Sequence, residues 1–268
     1  MSRKLVPLFC WVAILFILTV SAAMSAPYAA IVIDAKTGEV LHKENADTKL
    51  HPAGLTKLMT LYAVFDALET GMVSLDDRVE VSLKAQVEPR AKLGLEQGQL
   101  IKLRYLIRAA AVRGANDAST ALAEGMDGTE VSFAKRMNGY SQELGLTRSQ
   151  WKNAHGLTSK GHLSTARDIA TLFRALRQDF PDYFILFSRI RADAGLREVA
   201  SSSRRMLTNI RGIEGAKFGY TRAAGFNGAA YVKRGDEEVI AVIFGARSTA
   251  TLGKRMHEII DIGFREIK

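Results

Sequence analysis

The sequence predicts one compact α/β unit in which β-rich segments near the two ends of the chain share a sheet and frame a helical insertion. Three observations carry this reading. A hairpin pattern occupies residues 28 to 43, four helical periods follow one another between about residues 100 and 180, and three strand-like segments separated by tight turns precede a final amphipathic helix. The flanking β segments each lack enough partners to form a sheet alone, so they must pair with one another.

Taken in order, Tyr28-Ala-Ala-Ile-Val-Ile-Asp34 is rich in β formers, Ala35-Lys-Thr-Gly38 is a turn, and Glu39-Val-Leu-His-Lys43 returns. From Leu55 to Leu68 apolar residues recur at helical spacing and the run ends at Gly71; so wide an apolar surface places this helix in a core. Val79 to Val81 reads as a short strand. Leu103 to Val112, Ala115 to Glu124, Val131 to Leu144 and Thr165 to Arg177 read as helices. Gly215 to Tyr220, Phe226 to Val232 and Glu238 to Phe244 read as strands, with Arg234-Gly-Asp236 turning between the last two, and residues 250 to 265 form the closing helix. The sequence shows no internal repeat, low-complexity tract or proline-rich linker.

The amino end has the three parts of a secretory signal: Arg3 and Lys4, the apolar run Leu5 to Val20, and the small residues Ser21-Ala-Ala-Met-Ser-Ala26. Export to the periplasm or cell exterior is the expectation. An uncleaved anchor is the alternative, since the run falls slightly short of the roughly 20 residues that span a bilayer. The one cysteine, Cys10, lies inside that run, so a mature chain would hold no disulfide, cysteine nucleophile or thiolate metal site. The formal net charge is +9, of which Arg3 and Lys4 account for two. A basic surface suits the cell wall or an anionic membrane face, or simply solvates the protein; no nucleic-acid motif accompanies it.

Three short segments carry the candidate chemistry. His51-Pro-Ala-Gly-Leu-Thr-Lys-Leu-Met-Thr60 enters the apolar helix with Gly54 and Lys57 three residues apart, and so on one face. With serine at 54 this would be the S-x-x-K pair of acyl-transferring enzymes. The segment resembles, nearly letter for letter, the nucleophile segment of the serine-type D-Ala-D-Ala carboxypeptidases, the low-molecular-mass penicillin-binding proteins. Arg113-Gly-Ala-Asn-Asp-Ala-Ser119 is similar to that family's S-x-N-D segment, with Gly114 in place of its serine and Asn116 kept. Glu214-Gly-Ala-Lys-Phe-Gly-Tyr-Thr-Arg-Ala-Ala-Gly-Phe226 is similar to its K-T-G-Y-T segment, with Lys217 and Gly219 kept and Phe218 in place of threonine. Leu93-Gly-Leu95, Asn153-Ala-His-Gly-Leu157 and Gly161-His-Leu-Ser-Thr-Ala166 with Asp168 extend the likeness, which covers about residues 26 to 265.

The resemblance implies a penicillin-binding/β-lactamase-like α/β/α sandwich with an antiparallel sheet and a helical subdomain. It divides the chain into a signal peptide (1–25) and a carboxypeptidase-like domain (26–268) with a helical insertion at about 82–200, and leads us to expect neither a carboxy-terminal β domain nor an anchor helix. It also implies roles. The first serine would be acylated by the stem peptide's penultimate D-alanine carbonyl with its lysine taking the proton, the S-x-N pair would support proton transfer and orientation, and the K-T-G segment would hold the terminal carboxylate. The carried-over positions are Gly54, Lys57, Gly114, Asn116, Lys217, Phe218 and Gly219. All three motifs have lost their hydroxyl. Glycine cannot form an acyl-enzyme, and a phenylalanine at 218 removes a carboxylate partner and is expected to fill space.

Two ammonium groups, Lys57 and Lys217, and the Asn116 amide are therefore expected to face a cleft without a nucleophile. This suggests an exported homologue that binds peptidoglycan stem peptides or regulates an envelope enzyme, with peripheral membrane contact left open. The alternative is an active D,D-carboxypeptidase with a modified mechanism. No cofactor or metal is expected: His42, His51, His155, His162 and His257 lack ligand spacing, and His155 and His162 read as packing or capping residues. Arg113 and Arg222 flank two motifs as anion-capturing or solvated residues. Ser119 and Thr56 sit off the required helical face and make poor replacement nucleophiles.

Overall fold

A computed structural model describes residues 27–267 of the chain. The signal-like segment falls outside the described residues. The chain opens with β1 (Ala29–Asp34) and β2 (Val40–Glu44), then α1 (Thr56–Glu69). It passes through β3 (Arg78–Glu80), α2 (Leu83–Val87), β4 (Leu100–Lys102), α3 (Leu103–Arg108), α4 (Asn116–Asp127), α5 (Glu130–Glu143), α6 (Ala166–Asp179), α7 (Pro181–Phe184), β5 (Arg191–Asp193), β6 (Glu198–Ala200) and α8 (Arg204–Asn209). It ends in β7 (Ile213–Thr221), β8 (Gly225–Arg234), β9 (Glu237–Ala246) and α9 (Thr249–Glu266).

The two ends of the chain do share a sheet. Its order is β2-β1-β9-β8-β7, every neighbour antiparallel, while β3 pairs with β4 and β5 with β6 in small hairpins of their own. The central strand β9 explains this order. Its run Val239-Ile-Ala-Val-Ile-Phe244 is wholly buried, as a strand covered on both faces must be. Successive side chains point to opposite faces. Val239, Ala241 and Ile243 pack with Leu252, Met256 and Ile260 of α9, while Ile240, Val242 and Phe244 belong to the larger core built around α1, α4 and α6. The result is helix, sheet, helices in three layers.

α1 is the hub of the helical layer. Eleven of its residues are buried, which accounts for the weak amphipathicity of its sequence. Its amino-terminal part is tied to the 154–162 segment through two of its own hydroxyls. Thr56 Oγ1 lies 2.8 Å from His162 Nε2, and Thr60 donates to the Ala154 carbonyl at 2.6 Å. Asp117, wholly buried, accepts from the backbone N–H groups of Leu93, Gly94 and Leu95, which fixes the 93–95 loop to the start of α4. Buried carboxylates require such partners.

The elements missing from the sequence reading, β4 to β6, α2, α7 and α8, are all six residues or shorter, too short for a period to register. The helix expected over Leu103 to Val112 is α-helical only to Arg108. From Ala109 to Arg113 it widens into a π-helical turn that ends at Gly114.

His162 supplies a pH test of this architecture. Lys152 N–H donates to its Nδ1, so Nε2 carries the proton and donates to Thr56. Burial, reinforced by the nearby cations, lowers its pKa from 6.5 to about 3. Between those values the unfolded chain binds the extra proton, so stability is full above about pH 6.5 and falls on acidification. From pH 6.5 to 5 this group alone is expected to remove about 2 kcal/mol, read as a drop in melting temperature. The His162→Gln variant, less stable at neutral pH, should lose most of that slope.

Candidate active-site cleft

The three altered motifs converge. A cleft of about 290 Å³ is lined by Gly54, Lys57, Arg90, Arg113, Gly114 and Asn116, with Ser202, Phe218, Gly219 and Tyr220 on the opposite wall. Gly54 sits in a single 3-10 turn, Ala53–Leu55, that leads into α1, and the helical spacing carries Lys57 onto the same side. Gly114 closes the π-helical turn with φ +73°, in the left-handed region that glycine occupies without a penalty. Asn116 opens α4, and Lys217, Phe218 and Gly219 lie in register on the sheet's edge strand β7.

Lys57 is buried, and its Nζ donates to Asn116 Oδ1 at 2.8 Å and to the His155 carbonyl at 2.5 Å. Burial lowers its pKa from 10.5 to about 7, against the opposing pull of the Glu88 and Asp117 carboxylates. The amine is thus half deprotonated near neutrality, in the range that suits a general base. Asn116 commits its whole amide to the protein. Besides accepting from Lys57 it donates to the carbonyls of Pro89 and Arg90 at 3.0 and 3.2 Å.

Behind Lys57 is a polar cluster that sequence reasoning missed. His155 Nε2 lies 3.4 Å from Glu88 Oε1 and 3.3 Å from Glu130 Oε1, and all three residues are buried. Leu157 N–H donates to Nδ1 of the ring, which assigns the proton to Nε2. Burial raises the Glu88 carboxyl, but hydrogen bonds from His155 and Thr120 outweigh it and leave the pKa below its usual value. Glu88 and Glu130 carry no motif or spacing, so only the fold brings them to His155. His155 and His162 both serve as buried hydrogen-bonded packing residues, as their sequence context suggests.

Two expectations need correction. Lys217 does not present its ammonium to the cleft: it is wholly buried, and its Nζ donates to the carbonyls of Ala110 and Ala111, both at 2.6 Å. The π-helical turn leaves these carbonyls free to accept, and burial together with the nearby Lys57 pushes the Lys217 pKa well below its ordinary value. The Phe218 ring does not plug the cleft either. It packs with Phe226 on the α9 side of the sheet, centroids 6.2 Å apart. Backbone instead crowds the Gly54 corner of the cleft. A Cβ built on Gly54 would stand 2.8 Å from the Phe218 carbonyl oxygen and 2.9 Å from Gly219 Cα, and one on Gly219 would stand 2.3 Å from Gly54 N. β7 and the entry to α1 touch through two glycines, in the space a serine side chain would need.

Other hydroxyls are placed plainly. Thr56 is held by His162, and Ser119 donates to the Ala115 carbonyl inside the core, so neither reaches the cleft. Ser202 does: a Cβ on Gly114 would lie 3.4 Å from its Oγ. Nothing in the sequence marks this serine, because only tertiary contact sets it beside Gly114. Of the two flanking arginines, Arg113 lines the cleft and Arg222 does not; Arg90 joins it from the 88–91 loop. Both lining arginines are exposed, and no aspartate or glutamate lines the cleft. Among the described residues no group of three His, Cys, Asp or Glu side chains could hold a metal ion, and no helix is long and apolar enough to cross a membrane.

Known proteins resemble this chain in sequence and fold. The chain is 33% identical over 253 residues to the D-alanyl-D-alanine carboxypeptidase DacC of Escherichia coli, covering 92% of this chain and 63% of that protein. It is 31% identical over 247 residues to DacF of Bacillus subtilis, covering 89% and 62%. The chain therefore spans a little under two thirds of these relatives' length. Among solved structures, penicillin-binding protein 6B of E. coli superposes with a TM-score of 0.82 at 29% identity, over 90% of this chain and 78% of that one. Penicillin-binding protein D2 of Listeria monocytogenes, in its ampicillin-bound form, gives 0.80 at 28% identity, over 88% and 96%. The α/β fold with its antiparallel sheet is thus that of the penicillin-binding carboxypeptidases. Residues 18–248 match the family model for D-alanyl-D-alanine carboxypeptidase, and the chain belongs to that family.

Proposed function

We propose that this protein is a non-catalytic member of its family, exported to the cell wall, that binds the carboxylate-bearing ends of peptidoglycan stem peptides. One observation carries the reading: the nucleophile position is a glycine, and the backbone of β7 fills the space where a side chain would stand. A covalent acyl intermediate needs an oxygen at that point. Binding needs only the cleft, and here its cations have changed. With Lys217 withdrawn, Arg113 and Arg90 are the groups positioned to meet a terminal carboxylate, and a guanidinium does so with two parallel hydrogen bonds. Asn116 keeps Lys57 in place and contributes no free donor.

A second reading has one observation in its favour. Lys57, lowered to about 7, is poised as a base, and Ser202 Oγ stands close to the lost second serine. Slow hydrolysis through a lysine-activated water is the form such activity would take. Because the neutral amine would be the active species, kcat/KM would rise with pH through about 7 and level off above it.

The decisive assay is D-alanine release from a pentapeptide muropeptide, with calorimetric binding of the same compound in parallel. Binding without release is expected, with a tenfold or greater loss of affinity in Arg113→Ala. Release above a heat-killed control, rising through pH 7, would establish the second reading, and failure to bind any muropeptide would remove the first.

Gly54→Ser tests the backbone closure. Crowding of the new side chain against Phe218 and Gly219 is expected to cost about 1–3 kcal/mol of stability. Labelling by a fluorescent penicillin should still be absent. Gly114→Ser compounds the problem by forcing a serine into the left-handed region. Robust labelling of Gly54→Ser alone would show that β7 yields and that only the oxygen was missing.

A further inference from the structure

A second and larger concavity lies on the other side of β7. About 610 Å³ in volume, it runs between α8 and the first half of α9, and Phe218 and Ser202 form the partition between it and the cleft. Its floor and rim differ in chemistry. Met206, Ile210 and Leu252 are buried beneath it and the partly buried Phe218 ring completes the apolar floor. Arg204, Arg205 and Lys254 are exposed around it. No aspartate or glutamate lines it. Arg204 makes no ion pair among the described residues, Arg205 donates only to Thr249, and Lys254 reaches Glu258 only at 4.0 Å, that carboxylate being taken by Arg255 at 3.0 Å.

We infer that this groove binds an anionic lipid, with one acyl chain on the Met206, Ile210, Leu252 and Phe218 floor and the phosphate head against Arg204, Arg205 and Lys254. Charge complementarity favours the anion: three cations line one groove, the sole counter-charge among the described ion pairs being Glu258 at 4.0 Å from Lys254, and guanidinium groups suit phosphate. The volume falls in the range of small-ligand sites. The backbone favours an acyl chain over an extended acidic peptide. Only the first turns of α8 and α9 carry N–H groups free to meet a ligand, and β7 pairs with β8 on one edge and meets Gly54 at one point on the other. Those N–H groups suit the phosphate head, while a peptide strand laid along the apolar floor would lose its water for few backbone partners and a hydrocarbon chain has no polar groups to desolvate. This site is independent of the cleft's ligand.

Gly253 offers a clean test. It lines the groove, and a Cβ placed on it meets nothing within 4 Å, so Gly253→Phe fills the groove without disturbing the core or any charge. The probe is monoacyl phosphatidylglycerol, titrated into the purified chain below its micellar concentration. Saturable binding is expected, at least tenfold weaker for monoacyl phosphatidylcholine and undetectable for glycerol phosphate. Gly253→Phe and the Arg204→Glu/Arg205→Glu double variant should each weaken it at least tenfold, while Gly253→Ala binds as the parent does; thermal melts confirm that each variant folds. Undiminished binding by Gly253→Phe would overturn the groove assignment in favour of surface adsorption. Equal competition by glycerol phosphate would reduce the site to an anion site, and saturable binding of an acidic amphipathic peptide with no lipid binding would make it a protein interface.

Discussion

An amino group buried without water is the constraint around which the cleft is arranged. Lys57 Nζ has to find acceptors inside the protein, and it finds them on two different elements, the Asn116 side chain at the head of α4 and the His155 carbonyl in the 153–157 loop. Each acceptor is in turn held. Asn116 is locked by the Pro89 and Arg90 carbonyls, and His155 lies between Glu88 and Glu130. Desolvation alone would drive the amine to neutrality, and the two buried carboxylates, Glu88 and Asp117, limit that drift. The result is an amine held in place at the edge of the cleft, with its pKa lowered toward neutrality.

Lys217 shows what happens when the same problem is solved differently. It too is buried with a single ammonium, but its acceptors are main-chain carbonyls of a widened helical turn, and no carboxylate opposes its desolvation. One lysine is thus retained as a cleft group, the other has become an internal strut that ties β7 to the helical layer. The motif is intact in letters at Lys217 and Gly219 and altered in consequence, since the strand it stiffens is the one that closes on Gly54.

Much of this was legible in the sequence. Glu238 to Phe244 reads as one of three closing strands, the α1 pattern announces a buried helix, and the order of the three motifs points to one fold. What escaped was whatever depends on contacts between distant segments. Whether a lysine on a strand faces a cleft or a helical turn depends on where the neighbouring carbonyls lie, and a π-helical turn has no composition of its own. Ser202, Glu88, Glu130 and the groove under Phe218 are made by tertiary proximity, and single-residue patterns contain no trace of it. Gly54 likewise says that no side-chain oxygen stands at that position, but not that the backbone of β7 lies against it.

The sheet also sets the order in which the protein can be completed. β1 is laid down within the first described residues, yet its inner edge is covered by β9, near the carboxy end. Until β9 arrives, the β1–β2 hairpin exposes Ile31 and Val32 and an unpaired backbone edge, and two strands alone are marginal in water. Loop closure over nearly the whole chain must precede the central pairing, so the sheet cannot be completed until β9 is available. A chain cut before β9 would therefore lose more than one strand: β1 and β2 would have nothing to join them to β8 and β7, and the sheet would fall into two hairpins.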